Sequence, residues 1–172
     1  MGSDNLFHKR KKRTAKSLSR KIARRSPYNK VLIVCEGEKT EPNYFRELVK
    51  YYKINTANVA IDGSCNSSPK SVFERSEELW NQENRKGDPF DRVYCVFDKD
   101  SHETYEETLR RISQKGVSNG NFFAVTSVPC FEYWLILHFQ YTTQPYSARG
   151  KSSIGNEVLK KLKRMMPEYK KG

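Results

Sequence analysis

Acidic residues are missing from the first part of this chain. Between Asn5 and Cys35 there is no Asp or Glu. The same stretch holds eleven basic residues: Lys9, Arg10, Lys11, Lys12, Arg13, Lys16, Arg20, Lys21, Arg24, Arg25 and Lys30. With Asp4 as the only counter-charge, the first thirty residues carry about +10, whereas the remainder, with 21 basic and 19 acidic residues, is close to neutral. Cysteine is scarce as well. The four cysteines, at 35, 65, 95 and 130, form no close pair, which excludes a zinc knuckle or a Cys-x-x-Cys redox motif. That usage suits a reducing compartment. No apolar run reaches transmembrane length, and the basic N-terminus lacks the apolar core of a signal peptide. Together these absences predict a cytoplasmic protein with no membrane partner. Internal repeats are absent. So is a Gly-x-x-x-x-Gly-Lys phosphate loop, which leaves the chain without ATPase machinery of its own.

What remains is enough for one core. The chain has 172 residues, 36% of them hydrophobic, and a mean hydropathy of -0.84, so much of it must be surface or extension. Residues 1–28 read as a basic arm, 29–140 as the folded domain, and 141–172 as a loop followed by a terminal helix. The arm is an electrostatic footprint for phosphates. Its candidate nucleic-acid contacts are Lys9, Arg10, Lys11, Lys12, Arg13, Arg20, Lys21, Arg24 and Arg25. The plain alternative is a solubilising tail. A membrane-surface helix is disfavoured, because the stretch from Ala15 to Arg24 offers only Leu18 and Ile22 as large apolar anchors.

After Tyr28 the pattern alternates strand and helix. Val31 to Cys35 is a continuous apolar run, as expected of a strand covered on both faces. Glu41 to Tyr52 reads as a helix with Tyr44, Phe45, Leu48 and Tyr52 on its inner side, Thr40 as N-cap and Pro42 in the first turn. Further strands are expected at 58–62, 91–97 and 121–128. Further helices are expected at 70–85, 102–115, 131–139 and 155–166. Cys35 and Cys95 then fall inside buried strands, where a thiol acts as a small apolar group. Alternation of this kind predicts an α/β fold, a mostly parallel four-stranded sheet with helices on both faces.

Two of the strands end in carboxylates. Val31–Cys35 runs into Glu36-Gly37-Glu38, and the strand ending at Phe97 runs into Asp98-Lys99-Asp100. Sites in open α/β sheets form outside the carboxyl ends of the strands. If the two strands are neighbours, Glu36, Asp98 and Asp100 meet in one crevice. Carboxylates packed there need a compensating cation, and an all-oxygen donor set suits Mg²⁺ or Mn²⁺. Asp98 and Asp100, two residues apart on an extended segment, point to the same side with Lys99 opposite. Such a centre suits phosphodiester hydrolysis, with Glu36 completing the metal shell or acting as general base. Glu38 and Glu41 are close enough in sequence to assist, or are solvated charges in a helix first turn. Asp100 alternatively caps the following helix. Glu132, among aromatics at the start of the 131–139 helix, either joins the acidic cluster or caps backbone N–H groups. His138 on the same apolar helix reads as a satisfied core histidine rather than a ligand. Arg46, Lys70 and Lys99 are candidate phosphate contacts, and so are the backbone N–H groups of the 63–68 loop.

Three segments together resemble the RloB-like family: Val34-Cys35-Glu36-Gly37-Glu38-Lys39-Thr40-Glu41-Pro42-Asn43-Tyr44-Phe45, Phe97-Asp98-Lys99-Asp100, and Pro129-Cys130-Phe131-Glu132-Tyr133-Trp134-Leu135-Ile136-Leu137-His138-Phe139. That family is similar to Toprim domains. The resemblance implies a Toprim-like sheet and a Mg²⁺-dependent centre. By that match Glu36 takes the place of the Toprim glutamate, and Asp98 and Asp100 that of the Asp-x-Asp metal ligands; Glu41, Glu132 and Lys99 are accessory candidates. It further implies a nuclease effector of bacterial abortive infection, acting on nucleic acid that includes transfer RNA and paired with an RloA-like AAA/ABC-type ATPase. Self-association into a homo-oligomer stays open. Family members run somewhat past Gly172, which leads to the expectation of a missing C-terminal element. Two other readings stand beside the nuclease. One is a non-catalytic nucleic-acid-binding adaptor of an ATPase complex. The other is an Asp-x-Asp phosphatase or nucleotidyl transferase, disfavoured because haloacid-type phosphatases place the nucleophilic Asp after the first strand, where this chain has Glu36.

Overall fold

The computed structural model describes residues 28–66, 68–99, 103–148, 150 and 152–171. The arm residues Lys9 to Arg25 and the candidate ligand Asp100 lie outside the described residues. Among the described residues, four strands alternate with helices: β1 (Val31–Cys35), α1 (Thr40–Tyr51), β2 (Val59–Asp62), α2 (Pro69–Arg85), β3 (Arg92–Asp98), α3 (Tyr105–Asn119), β4 (Phe122–Ser127), then α4 (Phe131–Leu137) and α5 (Ile154–Met165). The sheet order is β2-β1-β3-β4, and every pairing is parallel. The fold is α/β and consistent with a Toprim-like architecture. β1 and β3 are the central pair, in register from Val31 opposite Arg92 to Cys35 opposite Val96.

Side-chain alternation sends Leu32, Val34, Val93, Cys95 and Phe97 to one face, where Val72 and Phe73 of α2 and Ile112 of α3 close a buried core. Ser68 caps α2 through its side chain, and Pro69 opens the first turn, where a missing N–H costs nothing. The opposite face is only partly covered. Phe45, Leu48 and Val49 of α1 line one side of an open groove of about 790 Å³ floored by Val31, Ile33, Tyr94, Val96 and Val125. Phe123 and Val125 of β4 remain exposed there. A second small core joins α4 to α5 through Ile136, Val158 and Leu162, all fully buried. α5 is thus packed on α4.

Several local expectations shift. Thr40 is already helical, and Lys39 takes the N-cap place without a side-chain cap bond. Tyr52 falls beyond α1 and is exposed, because the inward positions are taken by Glu41, Pro42 and Val49. Lys30, the last of the basic residues before Cys35 and inside the 29–140 domain, is a structural residue. Its ammonium bonds Glu83 at 2.6 Å and Asp88 at 2.8 Å, tying the start of β1 to the end of α2. That contact, together with one from Lys86, holds the Glu83 carboxyl down to about 2.

Gly116 marks the closest approach of α3 to the sheet. A Cβ there would stand 2.6 Å from the Phe122 carbonyl oxygen. Gly116→Ala is therefore expected to lower stability by about 1–3 kcal/mol through overpacking, against the gain of up to about 1 kcal/mol that alanine brings to a free helix. Urea denaturation reads the sign. A stabilised variant would contradict the tight α3–β4 packing.

Candidate metal centre

The carboxyl ends of β1 and β3 carry the site. The β1–β3 ladder continues one residue past β1, where the Glu36 N–H donates to the Val96 carbonyl at 2.9 Å. The Asp98 N–H then donates to Glu36 Oε2 at 3.1 Å. The two carboxylates are placed by backbone register, and one is oriented by the other's main chain. Around them a crevice of about 210 Å³ is lined by Glu36, Gly37, Glu38, Glu41, Asp98 and Glu132, with Lys39 and Lys171 as its lysines.

Each acid has its own environment. Asp98 is mostly buried. Burial first, then the nearby charges of Glu41, Glu132 and Glu36, push its carboxyl up to about 7, even though the Phe131 N–H at the start of α4 donates to it. Glu41 lies in the first turn of α1, yet it is buried. Its carboxylate sits over Gly37, in space that a side chain at position 37 would fill. Burial and the charges of Glu132 and Glu36 raise its carboxyl too. Glu132 is almost fully buried. Burial alone would raise it, but Lys171 outweighs that effect and holds it below the ordinary value. Lys171 Nζ lies 3.0 Å from Glu132 Oε1, and the Tyr169 hydroxyl donates to the same oxygen at 3.3 Å. Glu132 Oε2 is buried with no hydrogen-bond partner.

A strand-end carboxylate alone does not make a site. Asp62 ends β2, but it accepts from the Ser64 N–H at 2.8 Å and pairs with Arg75 at 3.1 Å. It is a loop anchor. The adjoining Gly63 lies where a Cβ would come within 2.7 Å of the Gly37 carbonyl oxygen, so the β2 and β1 loops touch through glycine.

The other candidates lie apart from the crevice lining. Lys99 places its ammonium 5.6 Å from the Tyr105 ring centroid. Arg46 bonds Asn43 at 3.0 Å, and Lys70 faces Glu74 at 3.8 Å; both basic residues are exposed. His138 is satisfied, with Nε2 3.1 Å from the Tyr44 hydroxyl, but it is exposed rather than in the core, because α4 ends at Leu137.

Among the described residues no three His, Cys, Asp or Glu side chains converge closely enough to enclose an ion. Mg²⁺ does not ask for such a cage. It is commonly held by one or two carboxylates and keeps several waters. The oxygen-only donor set, the mutual repulsion at Asp98 and the orphaned Glu132 Oε2 fit a hydrated divalent cation.

The fold and crevice define an α/β protein with an acidic centre at the ends of its two central parallel strands. Residues 31–172 match the model of the RloB-like protein family, and the chain belongs to that family. No curated protein matches the chain. No helix among the described residues is long and apolar enough to cross a membrane.

Proposed function

We propose that this chain is a metal-dependent nuclease effector of bacterial anti-phage defence, of the abortive-infection kind, that cleaves phosphodiester bonds of nucleic acid, with transfer RNA as the first substrate to test, in the cytoplasm and under the control of an RloA-like ATPase. The observation that carries the reading is the Asp98 N–H on the Glu36 carboxylate at the adjacent ends of β1 and β3. Glu36 and Asp98, with Asp100 two residues on, are the residues that would hold Mg²⁺ or Mn²⁺. A divalent ion in such a centre supplies charge neutralisation at the phosphate and an acidified water. The chain's own part is to orient and to manage protons. The Asp98 main chain fixes the Glu36 carboxylate, which stands as the general base. The Phe131 N–H fixes Asp98. Charge repulsion at Asp98 and Glu41 keeps affinity for a cation high. The basic residues Lys9 to Arg25 contribute non-specific, salt-sensitive attraction for the phosphate backbone.

The test uses the full chain with labelled total transfer RNA and, separately, supercoiled plasmid, in Mg²⁺, Mn²⁺ or EDTA, with and without the partner ATPase. Cuts that need metal and vanish in Glu36→Gln are expected. Tight, salt-sensitive binding with no cut in any lane, beside a partner shown to hydrolyse ATP, would replace the nuclease by an adaptor.

A further inference from the structure

We infer that Glu132 is a cation-binding residue of the acidic crevice, and that a divalent metal enters there by displacing the Lys171 ammonium that occupies it. The inference rests on the metal-site reading above and adds to it a residue and a competitor. Glu132 comes from α4, not from a strand end, and its carboxylate is among the most buried polar groups of the molecule. A buried carboxylate without a positive partner is strongly unfavourable. Its partner in the structure, Lys171, approaches from the solvent side and keeps more than half of its side chain exposed. The contact therefore joins a fixed buried acid to a cation that can withdraw. Lys171 belongs to the strap that follows α5, residues 166–171, which forms no helix or strand beyond a turn closed by the Tyr169 N–H on the Met166 carbonyl at 3.0 Å. Tyr169 is the strap's anchor. Its ring packs on the α4–α5 core, and its hydroxyl reaches Glu132.

Two further observations favour exchange over a permanent ion pair. Lys171 satisfies only one carboxylate oxygen, since Glu132 Oε2 stays buried and unpartnered. Two lysines, Lys39 and Lys171, also leave the crevice with an excess of acids, because Glu36, Glu38, Glu41, Asp98 and Glu132 share the same lining. A hydrated divalent ion carries twice the charge of one ammonium and can present water to the second oxygen. If Lys171 leaves, Glu132 requires such a replacement. The strap and the metal are then alternative occupants, and the closed form is a resting state of the centre.

The test is Mn²⁺ binding to the full chain, followed by calorimetry and by the electron paramagnetic resonance of free Mn²⁺. Wild type, Lys171→Met, Lys171→Arg and Glu132→Gln are compared after circular dichroism has shown each to be folded. Lys171→Met is expected to bind Mn²⁺ at least about tenfold more tightly than wild type, Lys171→Arg within about threefold of it, and Glu132→Gln more weakly. Acetylation of Lys171, read by mass spectrometry, is expected to rise when Mn²⁺ is added. Equal or weaker Mn²⁺ affinity in Lys171→Met, with wild type still binding, would overturn the displacement and leave the metal site standing. Absence of Mn²⁺ binding in wild type and Lys171→Met alike would overturn both.

Discussion

Asp98→Asn is expected to lower metal-dependent cleavage about 10²–10³-fold while the protein folds, the loss typical of removing one charge-stabilising group from a reaction centre. Asparagine keeps an oxygen for the Phe131 N–H, so the start of α4 retains its partner. The same variant carries a stability signature that cleavage alone does not give. Asp98 is pushed up to about 7 in the folded protein, from an ordinary value of 3.8. Between those values the native state binds the proton and the unfolded chain does not. Its stabilising contribution is complete below about pH 4 and is lost as pH rises to about 7, with a slope of up to about 1.4 kcal/mol per pH unit. Glu41, also raised, acts in the same direction. Glu132, lowered by Lys171, acts in the opposite one. The difference between wild type and Asp98→Asn isolates Asp98. The variant should be more stable than wild type at pH 8 and lose that advantage toward pH 4, and Mg²⁺ should raise the melting temperature of wild type more at pH 8 than at pH 5. Parallel stability curves for the two proteins from pH 4 to 8 would mean that Asp98 is not crowded by charge, and undiminished cleavage would remove it from the centre.

The second large effect is structural. Phe97→Ala is expected to cost about 3–5 kcal/mol, a large part of the total stability of a domain this size. Phe97 is 1% exposed in the α2–α3 core and meets the Tyr105 ring edge-on with centroids 5.8 Å apart. Truncation would leave a cavity in the core immediately next to Asp98 in the chain. Phe123→Ala is the matched control. Phe123 lies on the open face of β4, 37% exposed, stacked on Tyr94 at 5.4 Å with the Arg92 guanidinium 5.8 Å from its ring centroid, so it is expected to cost about 1 kcal/mol. Urea midpoints of the two variants check the contrast. Equal losses would show that the open face is packed as tightly as the core.

The parts of the site legible in the sequence were those set by local pattern. Apolar runs stopping at Glu36 and near Asp98 marked the strand ends, and parallel pairing of β1 with β3 then set them side by side. What escaped depends on contacts between distant elements. Glu41 read as either an assisting or a solvated first-turn charge, and its burial comes from the turn at Gly37 beneath it. Glu132 stood between two roles, because only the docking of α4 over β4 turns it toward the crevice. Lys171 was invisible as a site residue, one charge in a basic tail. A partial signal existed in Val158 and Leu162, four apart on α5, which mark a face packed on α4 and so bring the following residues near Glu132. The same limits apply to Tyr52 and His138, expected on the inner side of a helix and in the core but exposed, their helices stopping one and two residues short of the expected bounds.

The central β1–β3 pairing also gives the crevice a birth order. The hydrogen bond that joins Asp98 to Glu36 closes over 62 residues of chain. Non-local parallel pairing of this sort is slow to form compared with helices. During synthesis Glu36 emerges first, and its pairing with Asp98 waits until β3 has followed it. Glu132 arrives next, and Lys171 only after α5. The order of synthesis thus completes the acidic lining before the lysine that pairs with Glu132 exists.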